Sequence, residues 1–242
     1  MNKFAKLLAL GLVCFSPSIF AQRAFQGFYG QIATGYENNS ASNLDGVYKE
    51  AARIYPDTYN ASTQNFGGAP LIVGLGYNFS VAPKFILGIG IDYSLTSQTS
   101  STYSSNFSLI DSALTGQSLK VSNRLNIFVT PGYEIDKDKL IYLKAGYSSI
   151  KATYNPPTAS GGEPTAQTWS TPSSTVGGYI LGLGYKQIIT GGLYGFAEGN
   201  YMSYNKPSLV SNVSDSGAST WTMTTNPSIS TYQLLVGVGY RF

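Results

Sequence analysis

Histidine is absent from this 242-residue chain, and the only cysteine, Cys14, lies near the N-terminus. Without histidine, the Ser-His and Asp-His mechanisms of catalysis are excluded. Zinc sites are also excluded in practice, because proteins build them mainly from Cys and His. A Ser-Lys dyad or paired carboxylates remain possible, but no motif marks either. We therefore expect no enzyme activity, no metal site and no cofactor.

Charged residues are scarce as well, at 11% of the sequence against about 25% in typical soluble proteins. A soluble surface usually carries more charge, whereas a surface facing lipid does not. Two of the 15 basic residues, Lys3 and Lys6, lie in an N-terminal leader, which leaves 13 against 12 acidic residues. This balance predicts no nucleic-acid partner.

The first 21 residues have the pattern of a secretory signal peptide. Lys3 and Lys6 provide its charge, residues 7–15 its apolar centre, and residues 18–21 a small-residue cleavage site. No apolar run here or later reaches the roughly 18 residues expected of a membrane-spanning helix. We expect residues 1–21 to be removed and residues 22–242 to form one domain without cysteine.

The last segment, Ser228–Phe242, alternates between apolar and small or polar residues with a period of two, which predicts a strand. Its hexamer at 236–241 recurs at 73–78 and 181–186, with a degraded copy at 130–134. The tyrosines of the four copies are 52 to 56 residues apart. Each interval has room for two strands, one short turn and one long loop, so four units predict eight strands.

The alternation places strands of about ten residues, the length of a tilted membrane strand, at about 25–36, 69–80, 85–96, 118–135, 140–151, 177–188, 193–204 and 228–242. Short turns at 82–84, 136–139 and 190–192 alternate with long polar segments at about 37–67, 97–116, 153–175 and 205–227. This asymmetry is typical of outer-membrane barrels. The predicted fold is all-β: an eight-stranded antiparallel up-and-down transmembrane β-barrel with both termini on the periplasmic side.

Outward-facing aromatic residues are predicted to form the two girdles that border the apolar band. In the pairs Phe28/Tyr36 and Phe85/Tyr93 the members are eight residues apart, which is ~20 Å along the membrane normal in a tilted strand. The predicted girdle residues are Phe28, Tyr36, Tyr77, Phe85, Tyr93, Tyr133, Tyr185, Tyr232 and Tyr240.

The chain resembles the small eight-stranded outer-membrane barrels, namely the OmpA-like transmembrane domain, OmpX and the opacity-protein group. The resemblance rests on the signal peptide, the repeated Gly-Tyr strand ends, the stretch 196–201 and the terminal Tyr-Arg-Phe, and it covers the whole mature chain. It implies a Gram-negative outer-membrane location, a lipid and lipopolysaccharide environment, and insertion by the barrel-assembly machinery. It fixes the architecture better than the function.

Six charged side chains are predicted to point into the lumen: Asp92, Lys120, Arg124, Lys144, Lys186 and Glu198. An eight-stranded barrel is just wide enough for its own side chains, and charges held there must be paired or hydrated. One interpretation is a structural plug in which Asp92 and Glu198 bridge to the cations. The other is a narrow, slightly cation-lined pore. A Lys144–Glu198 bridge would favour the plug.

Aromatic residues also occur within the polar segments, at Tyr48, Tyr55, Tyr59, Tyr103, Trp169 and Trp221. Exposed aromatics among Ser, Gly and Asn can form a recognition surface, or they can simply pack the loops. We expect a monomer with a structural role and surface-exposed loops. The alternatives are a porin-like channel for small solutes and a loop-mediated adhesin that binds an extracellular ligand or surface.

Gly237, Tyr240 and Phe242 are the predicted assembly signal. Because Tyr240 belongs to the repeated unit, only Phe242 is specific to the final strand. We expect Phe242→Ala to reduce barrel assembly more than Tyr185→Ala does. Equal amounts of the heat-modifiable folded species on a gel would contradict this expectation.

Overall fold

The computed structural model of the protein describes residues 24–50, 56–108, 112–160, 163–164, 167–214 and 220–242. The predicted signal peptide lies outside these residues. Within them, no helix has the length and apolar character needed to cross a bilayer.

Eighteen β-strands account for most of the described chain. In chain order they are β1 (Gly27–Ser42), β2 (Gly46–Glu50), β3 (Asp57–Ala61), β4 (Gln64–Gly68), β5 (Ile72–Ala82), β6 (Phe85–Ser94), β7 (Gln98–Thr99), β8 (Tyr103–Phe107), β9 (Ala113–Asp136), β10 (Lys139–Asn155), β11 (Ala159–Ser160), β12 (Glu163–Pro164), β13 (Thr168–Trp169), β14 (Ser173–Thr190), β15 (Leu193–Tyr204), β16 (Leu209–Ser214), β17 (Thr220–Thr225) and β18 (Ser228–Arg241).

Eight of these strands close into a ring of consecutive antiparallel neighbours: β1, β5, β6, β9, β10, β14, β15 and β18. Pairing of β18 with β1 closes the ring, with Tyr29 opposite Arg241 at one end. The three short turns join β5 to β6, β9 to β10 and β14 to β15, at the positions that the sequence predicts. Lys84 and Gly191 adopt positive φ in two of them, which lets the chain reverse within two residues. The predicted eight-stranded up-and-down barrel is confirmed.

The outer wall is apolar. Large side chains are exposed on seven of the eight barrel strands, with Leu234 reaching 69% and Leu183 61%. The exception is β15, whose one exposed residue is Ala197. Seven of the nine predicted girdle aromatics are exposed, while Tyr77 and Tyr185 are half-buried. The outer girdle also includes Tyr147, Tyr179 and Tyr201, and the Tyr201 ring lies 4.8 Å from the Tyr232 ring between centroids. A wall of this kind is stable against lipid, where apolar side chains need no burial.

The long polar segments are more regular than their composition predicts. Their strands continue the barrel wall outward as a second sheet with the order β12-β11-β9-β8-β3-β2-β17-β16-β13. In addition, β4 pairs with the outer end of β1, and β7 pairs with β9. We call this outer sheet, with β4 and β7, the crown. These segments are rich in Ser and Thr, a composition typical of turns, but their backbones pair with one another as β-strands. Composition alone therefore does not predict their regular structure.

The crown and the outer half of the lumen have an apolar core. Leu119, Ile150, Ile180 and Met202 are completely or almost completely buried in one cluster with Phe66. A smaller cluster of Tyr59, Leu114 and Met223 lies in the crown. Of the loop aromatics, Tyr59 and Tyr103 are buried and therefore pack the crown. Tyr55 lies outside the described residues.

A β-bulge in β9 changes which side chains face the lumen. Ser149 and Lys151 of β10 lie opposite Leu125 and Ser122, so β9 has one extra residue there. Asn123 adopts φ 53° at the bulge. Alternation is shifted by one beyond this point: Leu119 and Val121 face the core, and Lys120 faces outward. The predicted lumen position of Lys120 is therefore wrong.

Buried phenols make crown stability sensitive to alkaline pH. Burial raises the pKa of Tyr59, Tyr103 and Tyr154 well above its ordinary value, which is about 10. Because the folded pKa is raised, this stability is complete below about pH 10 and is lost as the pH rises further. We expect the near-ultraviolet circular dichroism of the protein to change above about pH 10. In Tyr59→Phe this change should begin at a higher pH. A first change on the acid side of neutrality would contradict this.

Candidate functional site

Lys144 lies at the centre of a charged cluster that spans the lumen. Its Nζ is 2.8 Å from Asp92 Oδ2 and 2.9 Å from Glu198 Oε1, so one ammonium joins strands β10, β6 and β15. The ammonium also lies 4.0 Å from the centroid of the Phe128 ring, a further favourable contact for a cation. All three charged residues are buried. The Lys144–Glu198 bridge that favours a plug is present.

Neutral side chains also donate hydrogen bonds to the two carboxylates of this cluster. Tyr142 donates to Glu198 Oε2 at 2.7 Å, and Asn200 donates to Glu198 Oε1 at 2.8 Å. Asn126 donates to Asp92 Oδ1 at 2.6 Å. A buried ion pair is tolerated when its spare lone pairs find donors, and these three side chains meet that requirement.

A second ion pair, Arg124–Glu37, lies nearer the outer face. Arg124 Nη2 donates to Asn39 at 2.9 Å and to Thr231 at 3.2 Å, and its Nε donates to Tyr204 at 3.1 Å. The guanidinium therefore uses its planar fork of donors on four different side chains. The sequence prediction paired Arg124 with Asp92 or Glu198, and that pairing is wrong.

Two amides connect the two ion clusters. Gln233 donates to Glu37 Oε2 at 2.7 Å and accepts from Asn200 at 3.4 Å. Asn200 in turn donates to Glu198. One continuous chain of polar contacts thus runs from Asp92 to Arg124 through the centre of the barrel.

Lys186 is held differently from the other two cations. Its Nζ lies 4.3 Å from the ring centroid of Tyr29 and 5.1 Å from those of Tyr142 and Tyr194. Three tyrosine faces therefore surround the ammonium, and no carboxylate among the described residues lies within ion-pair distance. The predicted bridge from Glu198 or Asp92 to Lys186 is replaced by cation–π contacts.

Five of the six predicted lumen charges, all except Lys120, are buried inside the barrel. Glu37 completes the set and was missed, because the predicted first strand ends at Tyr36 whereas β1 continues to Ser42. Continuing the inward series Tyr29, Gln31 and Ala33 would have reached it. With Glu37 included, three carboxylates (Glu37, Asp92, Glu198) balance three cations (Arg124, Lys144, Lys186).

Apolar layers border the charged region at both ends of the lumen. Phe25, Ile86 and Leu140 form a buried cluster at the turn end. The larger cluster around Ile150, Ile180 and Met202 lies at the crown end. An ion crossing the lumen would meet apolar, charged and again apolar layers.

The crown contains a groove of about 710 Å³ between β13, β16, β17 and β2. Both tryptophans of the chain, Trp169 and Trp221, line it and are half-buried. Trp221 stacks on Tyr48 with 6.5 Å between ring centroids. The other lining residues are mainly polar: Lys49, Thr168, Ser170, Asn212, Ser214, Thr220 and Thr222, together with Val213.

The three predicted assembly residues lie on β18 and at its end. A side chain at Gly237 would collide with the Phe196 ring and the Ile32 carbonyl, so only glycine fits there. Tyr240 and Phe242 make an edge-to-face contact at 5.2 Å between centroids. The Phe242 amide donates to the Phe28 carbonyl at 2.9 Å, and its ring is 74% exposed on the outer surface. Their role in assembly stays a prediction.

In the part of the chain that the structure describes, no group of three or more His, Cys, Asp or Glu side chains is arranged to hold a metal ion.

A model of the outer membrane protein beta-barrel domain matches residues 7–242. No curated protein gives a significant match to the sequence. Among solved structures, the outer membrane protease OmpT from Escherichia coli is similar with a TM-score of 0.52 and 11% identity, over 89% of this chain and 97% of OmpT.

Two further solved structures show lower similarity. OprG from Pseudomonas aeruginosa has a TM-score of 0.49 and 12% identity, over 91% of this chain and 99% of OprG. The attachment invasion locus protein Ail of Yersinia pestis has a TM-score of 0.40 and 15% identity, over 90% of this chain and 99% of Ail. At such identities the OmpT likeness indicates the fold alone.

Proposed function

The chain belongs to the outer membrane protein beta-barrel family, and we propose that it is a monomeric barrel with a closed lumen. In this proposal its role is structural, and it presents the crown outside the cell. Its location is the Gram-negative outer membrane, with lipid and lipopolysaccharide as its surroundings. Delivery to that membrane depends on the predicted signal peptide and on the barrel-assembly machinery.

The observation that carries the closed lumen is the bridging of Lys144 to both Asp92 and Glu198. A conducting path would have to remove side chains that hold one another by paired charges. Breaking one such buried pair costs about 3–5 kcal/mol. The apolar cluster at the crown end adds a second barrier, since moving an ion into an apolar layer is costly.

Liposome swelling tests the closed lumen against the channel alternative. Vesicles containing the refolded protein are diluted into isosmotic solutions of small sugars or amino acids. We expect swelling no faster than in protein-free vesicles, for the wild type and for Lys84→Ala, which changes an exposed turn. Swelling that scales with the amount of wild-type protein would overturn the proposal in favour of a narrow channel.

The crown groove favours a second function, the binding of an extracellular ligand. Two indole faces beside hydroxyl, amide and ammonium groups suit a ligand that alternates apolar and polar surfaces, such as a saccharide. Because both tryptophans line this groove, intrinsic tryptophan fluorescence reports on it directly. This role is compatible with a closed lumen and corresponds to the adhesin alternative.

A titration with soluble oligosaccharides, followed by tryptophan emission, tests the groove. We expect a saturable change for at least one sugar, and at least about tenfold weaker binding in Lys49→Ala. Lys206→Ala, outside the groove, is the matched control and leaves binding unchanged. No saturable change with any sugar, or equal binding by Lys49→Ala, would contradict the saccharide assignment.

We further propose that the protein is not an enzyme. The two carboxylates nearest each other in the lumen, Asp92 and Glu198, share the Lys144 ammonium and are engaged by neutral donors. That engagement leaves neither free to act as a general base. Incubation of the refolded protein with peptide substrates is expected to give no more hydrolysis than Glu198→Gln does.

A further inference from the structure

The outward shift of Lys120 creates a basic site on the outer surface of the barrel. Beyond the bulge, Lys120 and Lys151 face the same side of neighbouring strands, opposite Thr153 and Ser122 respectively. Residues related in this way are diagonal neighbours on one face of a sheet. Both lysines line one pocket of about 420 Å³.

Two like charges on one face repel each other unless an anion lies between them. Neither lysine has a carboxylate partner among the described residues. Apart from Tyr93 and Leu95, the remaining lining supplies small neutral hydrogen-bonding groups: Ser94, Thr96, Ser97, Ser122, Asn123, Thr153 and Asn155. Two ammonium groups among hydroxyls and amides suit a phosphate, whose oxygens accept charge-assisted hydrogen bonds.

The height of the pocket determines where that phosphate comes from. Tyr93, an outer-girdle residue, forms its inner edge. Two strands away, Tyr147 precedes by two residues Ser149, which is in register with Tyr93. Lys151 is four residues beyond Tyr147 on β10, which is ~13 Å along the strand. Girdle aromatics lie at the boundary between the acyl chains and the headgroups. The lysines are therefore in the headgroup layer of the outer leaflet.

An apolar groove crosses the same three strands below the pocket and continues over β5 and β1 as far as Phe28. It has a volume of about 780 Å³, and its lining includes Ile91 of β6, Ile127 of β9 and Ala145 of β10. The small side chain of Ala145, between the exposed Leu143 and Tyr147 on the outer face of β10, leaves this part of the wall recessed. Leu125 and Tyr147 lie between the groove and the pocket. The combination is amphipathic: a cationic headgroup pocket above a recess of the right character for acyl chains.

We propose that β6, β9 and β10 form a binding site for a phosphorylated glycolipid of the outer leaflet, of the lipid A type. Lys120 and Lys151 hold a headgroup phosphate, the neighbouring hydroxyls and amides contact its sugar, and an acyl chain lies in the recess beside Ala145. The site is on the outside of the wall, so it operates whether or not the lumen conducts.

The test uses the refolded mature chain in detergent micelles, with native mass spectrometry to measure bound lipid. The probe is diphosphorylated lipid A. We expect saturable binding by the wild type, and at least about tenfold weaker binding by Lys120→Gln/Lys151→Gln, because two charge-assisted contacts are lost. The control Lys84→Gln/Lys137→Gln removes the same charge from the periplasmic turns and keeps wild-type affinity. Heat-modifiable migration verifies that each variant is folded.

Three further arms identify the source of the phosphate. Dephosphorylated lipid A should bind the wild type as weakly as the double variant binds the intact lipid. Ala145→Phe should weaken binding of the acylated probe by filling the recess. Millimolar inorganic phosphate should not displace the lipid. Equal binding by the wild type and Lys120→Gln/Lys151→Gln, or displacement by inorganic phosphate alone, would overturn the proposal.

Discussion

Replacing Lys144 with methionine is expected to destabilise the folded barrel by about 3–5 kcal/mol. Lys144 is buried and is shared by Asp92 and Glu198 at 2.8 and 2.9 Å. Methionine approximately keeps the volume of the side chain but leaves two buried carboxylates without their cation. Guanidinium unfolding of the protein in lipid vesicles measures the change in free energy of unfolding.

A matched lysine and a compensated variant separate the buried charge from other effects. Lys139 is half-exposed and makes only long surface contacts, at 3.7 and 3.9 Å, to Asp136 and Asp138. Lys139→Met should therefore cost less than about 1 kcal/mol. Neutralising the partners in Lys144→Met/Asp92→Asn/Glu198→Gln should recover part of the loss. A Lys144→Met loss no larger than that of Lys139→Met would show that the cluster does not stabilise the barrel.

Deleting Asn123 is expected to have a still larger effect on the outer half of the barrel. The deletion removes the bulge, so Lys120 would point into the apolar cluster while Leu119 and Val121 would turn outward. Burying an unpaired charge costs several kcal/mol, and removing two buried aliphatic side chains from the core adds a loss of similar size. Because the two losses together are large, we expect residues 113–122 to detach from the sheet.

The control Asn123→Gly distinguishes the bulge from the asparagine side chain. Glycine adopts positive φ without strain, so this variant should keep a stable crown, whereas the deletion should expose residues 113–122 to protease. Limited proteolysis of vesicle-embedded protein, with mass spectrometry of the fragments, locates the cleavage. Protection of this segment in the deletion variant would contradict the assigned register.

Alternation of side chains was sufficient to predict the eight barrel strands and the three short turns, because a wall between lipid and a polar lumen enforces a period of two. It failed where the lumen itself is apolar. Leu119 and Val121 suit a lipid-facing wall and an apolar core equally well, so hydrophobicity does not reveal on which side they lie. The bulge determines which side these residues face, and it forms at one residue, Asn123, which has a positive φ. A single inserted residue does not show in the hydrophobic alternation of the sequence.

Which charges pair with each other inside the lumen could not be predicted from the sequence either. Alternation shows that Arg124 and Glu198 face inward, but the partner of each depends on its height along the barrel axis, which the stagger between strands sets. That stagger places Arg124 beside Glu37 and gives Lys144 both Asp92 and Glu198. The crown was not predicted because its strands are rich in Ser, Thr and Asn, a composition that is also typical of loops.

Single-channel recording in planar bilayers tests the closed lumen most directly. We expect no resolved openings for the wild type, because the Lys144 bridge and the apolar cluster at the crown end each block the path. We also expect none for Glu198→Ala or for Lys144→Ala, since the apolar cluster remains in both. Discrete, reproducible openings of the wild-type protein would show that the lumen conducts.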